Sequence, residues 1–155
     1  MGVSGSGKST LGIALGQAFS IPFIEGDDFH TKANIDKMKS KIPLTDEDRK
    51  TWLITLSKEL SKHFSKGVIL ACSALKASYR ELLCNSLLKK SLFWIYLDCN
   101  SKELKKRLEG RDHFMPHDLL QSQLDALEEP KDALYLNNSQ SINEMIEQIK
   151  RELNE

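Results

Sequence analysis

The run Gly2-Val3-Ser4-Gly5-Ser6-Gly7-Lys8-Ser9 constrains this chain more than any other stretch, because it satisfies G-x-x-x-x-G-K-[ST] at every fixed position. Glycines in such a run let successive backbone N–H groups turn inward around a phosphate, in conformations that a Cβ obstructs. The helix-forming segment Leu11-Gly12-Ile13-Ala14-Leu15 follows at once. A helix from Lys8 to about Phe19 is therefore expected, with its positive end aimed at the same anion. Lys8 then supplies a mobile charge for the β and γ phosphates, and the Ser9 hydroxyl is placed to ligate Mg²⁺. Gly2 through Ser9 are thus the expected seat of a nucleoside triphosphate. The opening also fits the Met-Gly-x-x-x-Ser acylation pattern, but Gly2 is required in the loop.

The rest of the chain fits one domain of 155 residues. Apolar residues at 40% and charged residues at 28% are the balance of a globular protein rather than a disordered one. With 22 basic and 22 acidic side chains the formal net charge is zero, so whole-chain attraction to nucleic acid or to an anionic membrane is not expected. No run approaches the roughly 20 apolar residues of a membrane helix, and the first residues lack the apolar core of a secretory signal. Cys72, Cys84 and Cys99 are odd in number and contain no Cys-x-x-Cys pair, which argues against a zinc ribbon or disulfide framework and for reduced thiols in the cytoplasm. His113 and His117 stand four apart without an accompanying acidic motif, so no metal site is expected on them.

Ile21–Ile24, Val68–Ala71 and Leu92–Leu97 read as buried strands, with Leu134–Leu136 a weaker fourth. They are continuously apolar, as in a parallel sheet covered on both faces. Between them lie helical stripes: Leu53, Leu56, Leu60 and Phe64 after a capping-box start at Thr45; Leu75, Tyr79, Leu82 and Leu83; and Ile142, Met145, Ile146, Ile149 and Leu153 after Ser141. This alternation predicts a three-layer α/β domain with a mostly parallel sheet, whose ligands bind beyond the carboxyl ends of the strands. Glu25-Gly26-Asp27-Asp28 closes the first of those strands. Carboxylates there can bind an acceptor hydroxyl, accept its proton, and hold Mg²⁺ through water.

Several further blocks carry a specific likeness. Asp27-x-x-His30, Asn34–Met38, Ile42–Arg49 with Trp52-Leu53, Ala71–Lys76 with Tyr79-Arg80, His113–Pro116, Leu119–Gln123 and Leu127–Pro130 together resemble the gluconokinase family. The blocks run in the family's order along essentially the whole chain. The resemblance implies a P-loop kinase fold similar to adenylate and shikimate kinases, with sheet order 2-3-1-4-5 and a mobile helical lid. It implies transfer of the γ-phosphoryl group of ATP, with Mg²⁺, to the 6-hydroxyl of D-gluconate; another small-metabolite kinase such as a shikimate kinase is the alternative. It also places Asp27 as acceptor-binding carboxylate and candidate general base, with His30 lining the same pocket.

A gluconate carboxylate calls for a guanidinium that can bind it bidentately. Arg49 and Arg80, beside Trp52 and Tyr79, are the candidates, with Lys76 a weaker third. Glu25 is the candidate outer-shell Mg²⁺ partner, since Cys72-Ser73 rather than an acid ends the Val68–Ala71 strand. Residues 107–118 look like the lid, in which Arg111, ahead of Arg107, is the candidate for neutralising charge on the transferring phosphoryl group. A homodimer is an assembly that the resemblance allows.

In these kinases a central strand leads into the phosphate loop, whereas here only Met1 precedes Gly2. Losing four or five large apolar side chains at ~1.5–3 kcal/mol each would cost ~6–15 kcal/mol, which matches the ~5–15 kcal/mol stability of a whole domain. The chain as written is therefore expected to be an incomplete gene model, a shortened and inactive isoform, or a domain with compromised folding, the first being favoured.

Overall fold

The computed structural model describes residues 1–87, 92–100, 104 and 120–154. The proposed lid at 107–118, with Arg107, Arg111, His113 and His117, lies outside the described residues. Four strands are present among those described: β1 (Phe23–Glu25), β2 (Ile69–Ala71), β3 (Ile95–Asp98) and β4 (Leu134–Asn137). Each falls within or next to one of the four apolar runs. The pairings β1–β2 and β3–β4 are both parallel. Instead of one continuous sheet, however, they form two separate two-stranded sheets among the described residues.

Helix α1 (Lys8–Phe19) begins inside the phosphate loop and stops at Ser20, whose left-handed conformation returns its N–H to Gly16 and Gln17 carbonyls. A 3₁₀ turn (Gly26–Phe29) follows β1, then α2 (Lys32–Lys39) and α3 (Asp46–Lys62). Thr45 and Asp48 form the reciprocal capping box that starts α3, each side chain accepting from the other residue's backbone N–H. Helix α4 (Ala77–Cys84) follows β2, α5 (Leu120–Ala126) precedes β4, and α6 (Ile142–Asn154) closes the chain. The α6 start repeats the capping device with Ser141 and Glu144.

The core divides as the helical stripes foretell. Leu11 and Leu15 of α1 pack with Leu97, Leu136, Met145 and Ile149 of β3, β4 and α6. Leu53 and Leu56 of α3 pack with Cys72, Tyr79 and Leu83 in a second cluster, which also holds Trp52. Helices thus enclose the strands on two sides, as both-faced apolar strands require. Two stripe ends differ from expectation. Phe64 lies past the last turn of α3 and is 53% exposed, and Leu153 near the end of α6 is 50% exposed. Among the described residues no helix is long and apolar enough to cross a membrane.

Met1 does the work of a strand by itself. Its terminal amine donates to the Ile95 carbonyl (2.5 Å) and its carbonyl accepts from the Leu97 N–H (3.0 Å). That is the bond pair of a parallel bridge opposite Tyr96. The Gly2 N–H then donates to Ser73 O (3.2 Å), just beyond β2. One residue and one amide therefore hold the phosphate loop between the two sheets.

Candidate active site

The loop from Gly2 to Gly7 leaves α1 open at its positive end. Gly7 is the N-cap with φ 101°, a left-handed conformation that a side chain resists, and no side chain caps the helix. The first-turn N–H groups are thereby left for an anion. Inside the loop, the Ser6 hydroxyl is buried and has no hydrogen-bond partner among the described residues. An orphaned donor beside uncapped amides is the chemistry that phosphate oxygens satisfy. Lys8 Nζ donates to Val3 O (2.9 Å), folded back over the loop. Burial lowers the Lys8 pKa from its usual value, and the nearby Asp27 carboxylate is the largest influence against that shift. Ser9 Oγ donates to Glu25 Oε2 (2.5 Å). The two candidate Mg²⁺-side residues thus meet directly, presenting a hydroxyl and a carboxylate oxygen of the kind a hard cation takes.

The side on which the sequence places the acceptor is built by the 3₁₀ turn and α3. Gly26 lets that turn press against β2: a Cβ there would stand 2.5 Å from Ala71 O. The Gly26 carbonyl in turn accepts from Trp52 Nε1 (2.7 Å), locking the turn to α3. The Trp52 ring stacks on His30 at 4.2 Å between centroids and 16° between planes. Asn34 Nδ2 lies 3.4 Å from His30 Nδ1 and donates to Asp48 O (2.8 Å). Assigned from that network, a neutral His30 carries its proton on Nε2, which faces Asp27 Oδ1 at 3.9 Å.

Burial, with the Arg49 charge adding to it, pushes the His30 pKa down from 6.5 to about 4. Between those values the unfolded chain binds a proton that the folded one rejects, so stability must rise with pH from about 4 to 6.5. Chemical denaturation across that range is expected to show a slope that His30→Asn flattens, by on the order of 3 kcal/mol in total. The lowered carboxyl groups of Asp46 and Asp48 act below that window. An unchanged slope in the variant would place the titration elsewhere.

Five sequence candidates converge, Ser4 of the phosphate loop among them. Lys8, Asp27, His30 and Arg49 line one pocket together with Ser4, Trp52, Ser73 and Gln123. Arg49 Nη1 donates to the Leu44 carbonyl and lies 3.4 Å from Thr45 O and 3.5 Å from Tyr79 Oη. All three contacts use Nη1, and a guanidinium has five N–H donors.

Lys76 and Arg80 do not line this pocket among the described residues. Lys76 is paired with Asp46 at 2.8 and 2.9 Å and sits 5.6 Å from the Tyr79 ring centroid. Arg80 Nη1 donates to the carbonyls of Ala74, Leu75 and Glu128 (3.0–3.2 Å), which clamps the turn before α4 to the segment after α5. Its position beside Tyr79 in sequence gave no sign of this, because the clamp depends on a strand-to-helix turn at Ala74 (φ 44°) and on a segment 48 residues away.

Sequence reasoning also missed Gln123. Its Oε1 accepts from the Ser4 N–H (2.7 Å) and so ties the phosphate loop to α5 across 119 residues. A lone glutamine on a helix carries no signal of such a reach.

The comparisons agree with this geometry. The shikimate kinase family profile matches residues 4–154. A gluconokinase of Arabidopsis thaliana is 38% identical over 99% of this chain and 92% of its own length. The thermosensitive gluconokinase of Escherichia coli (strain K12) is 44% identical over 84% of this chain and 71% of its own. The crystal structure of a gluconokinase from Sinorhizobium meliloti 1021 superposes with a TM-score of 0.83 at 42% identity, covering 96% of this chain and 85% of that one. With its phosphate loop, parallel strands and acceptor turn arranged as above, this chain belongs to the gluconokinase family, within the broader shikimate kinase family of P-loop kinases.

Proposed function

We propose that this chain transfers the γ-phosphoryl group of ATP to the 6-hydroxyl of D-gluconate, giving 6-phospho-D-gluconate. One observation carries the reading beyond family membership: the phosphate-loop lysine and the acceptor-side Asp27, His30 and Arg49 share a single pocket. Phosphoryl transfer requires donor and acceptor to be held in line within one such space.

Gly2 through Ser9 hold the triphosphate, with Lys8 beside the outer phosphates. Ser9 and Glu25 would hold Mg²⁺, which would supply charge neutralisation for the triphosphate. Asp27 binds the reacting hydroxyl and takes its proton, while His30, kept neutral by burial, donates through Nε2 toward the hydroxyl row without adding charge. Arg49 receives the gluconate carboxylate. Arg111 remains the proposed basic group on the lid side. Lys76 and Arg80, on this reading, shape the wall behind Arg49 rather than touch the acceptor.

The test is ATP turnover measured side by side with gluconate, shikimate and nucleoside monophosphates. Preference for gluconate is expected, and preference for either of the others overturns the reading. Arg49→Ala is expected to raise the KM for gluconate roughly 10- to 100-fold, the range of a charge-assisted hydrogen bond. The KM for ATP should stay within about twofold. The opposite pattern would move Arg49 to the nucleotide side.

A further inference from the structure

Gln123 joins the two halves of the pocket, and the phosphate loop dictates which way its carboxamide faces. The residue lies in the middle of α5 and is 6% exposed. A backbone N–H can only donate, so the atom 2.7 Å from Ser4 N is assigned as the carboxamide oxygen. Nε2 is then the other end of the amide, and no hydrogen bond of Gln123 among the described residues uses it. Among those residues Ser6 Oγ is the one buried side-chain polar atom without a partner. The unused Nε2 therefore keeps an opening to the pocket that Gln123 lines with Lys8, Asp27, His30 and Arg49.

We propose that Gln123 is a specificity residue for the acceptor: Nε2 donates to the hydroxyl next to the one phosphorylated, the 5-hydroxyl of D-gluconate. The proposal rests on the gluconate reading above and extends it to one named oxygen.

The chemistry of the amide selects the kind of partner. Its NH₂ group offers two protons and no charge, which suits a hydroxyl oxygen. A carboxylate is matched better by the charged fork of Arg49. Location then selects among the hydroxyls. The bond to Ser4 keeps the carboxamide against the phosphate loop, the wall that presents the γ-phosphoryl group on this reading. With the 6-hydroxyl at Asp27, the next hydroxyl along the acceptor is the 5-hydroxyl.

The same bond fixes the donor in advance. Holding Oε1 on Ser4 removes rotamer freedom that a loose glutamine would lose on binding. A fixed, buried donor also discriminates, because an acceptor without the matching oxygen leaves it unpaired.

A cycle between one oxygen of the acceptor and one side chain tests the proposal. At saturating ATP, kcat/KM is measured for D-gluconate and 5-deoxy-D-gluconate in the parent chain, in Gln123→Leu and in Gln123→Glu. The parent is expected to prefer gluconate by roughly tenfold or more. Both variants lose the NH₂ group, so that preference should fall roughly 3- to 10-fold in each, the scale of one neutral hydrogen bond.

Gln123→Glu keeps an oxygen for the Ser4 N–H, so it decides the matter if the Leu variant fails to fold. Its added charge acts on both acceptors alike and drops out of the ratio. A preference within about twofold of the parent's in Gln123→Glu, with both acceptors slowed together, reduces Gln123 to a tie for the loop and overturns the proposal. A parent that accepts 5-deoxy-D-gluconate as readily as gluconate overturns it too. Both results differ from failure of the reaction itself, which shows as a parent that prefers shikimate or a nucleoside monophosphate, and with which this contact also falls.

Discussion

Replacing Lys8 by methionine is expected to lower phosphoryl transfer to gluconate by roughly 10³-fold, the scale seen when a preorganised charge-stabilising group is removed. Lys8 sits half-buried behind a loop of backbone amides, and its Nζ is held on Val3 O. Burial disfavours its charge, and Asp27 is the foremost group that retains it. The fold therefore keeps a cation in a poor place for one, which makes sense when an anion completes the site. Removing that charge relieves desolvation, so the Met variant should melt no lower than the parent chain. Activity within about threefold of the parent, in a variant of unchanged Tm, would deny Lys8 its place beside the transferring group.

Asp27→Asn is expected to reduce kcat by roughly 10² to 10³, the lower part of the range for loss of a positioned base. The amide keeps the shape and can still hydrogen-bond an acceptor hydroxyl, but it cannot take the proton. Nucleotide binding measured by calorimetry should change little, since Asp27 lies in the 3₁₀ turn after β1, on the proposed acceptor side of the pocket. The split between constants is the informative readout. A rise in the KM for gluconate with kcat intact would make Asp27 a binding group only, and would shift the burden of catalysis to Lys8 and the bound cation.

Much of this arrangement was legible before any coordinates. The phosphate loop was readable because its chemistry is local: each glycine and Lys8 act within a few bonds of one another, and α1 begins and ends where the pattern places it. The strands were readable to within a few residues because both faces of each are apolar. The partition of the cationic side chains was not readable. Arg49 and Arg80 look alike in sequence, each near an aromatic anchor, with Lys76 a weaker third candidate. Their fates diverge only through distant partners: Asp46 takes Lys76, the Glu128 carbonyl helps to take Arg80, and Arg49 alone lines the pocket. Gln123 escaped notice for the same reason, since its bond to Ser4 spans nearly the whole chain. The bridging role of Met1 was not readable either, because its bonds to Ile95 and Leu97 span more than ninety residues.

The proposed acceptor wall, like the phosphate loop, is built mostly from residues close together in sequence. Asp27, His30, Arg49 and Trp52, which line the pocket, fall in one short continuous stretch, as do Asn34, which steadies His30, and Gly26, whose carbonyl anchors Trp52. On the proposed reading, choice of acceptor is consequently carried largely by one cassette. On that reading, swapping residues 26–52 as a block between relatives of this architecture would replace most of the acceptor-facing wall and leave the phosphate loop untouched.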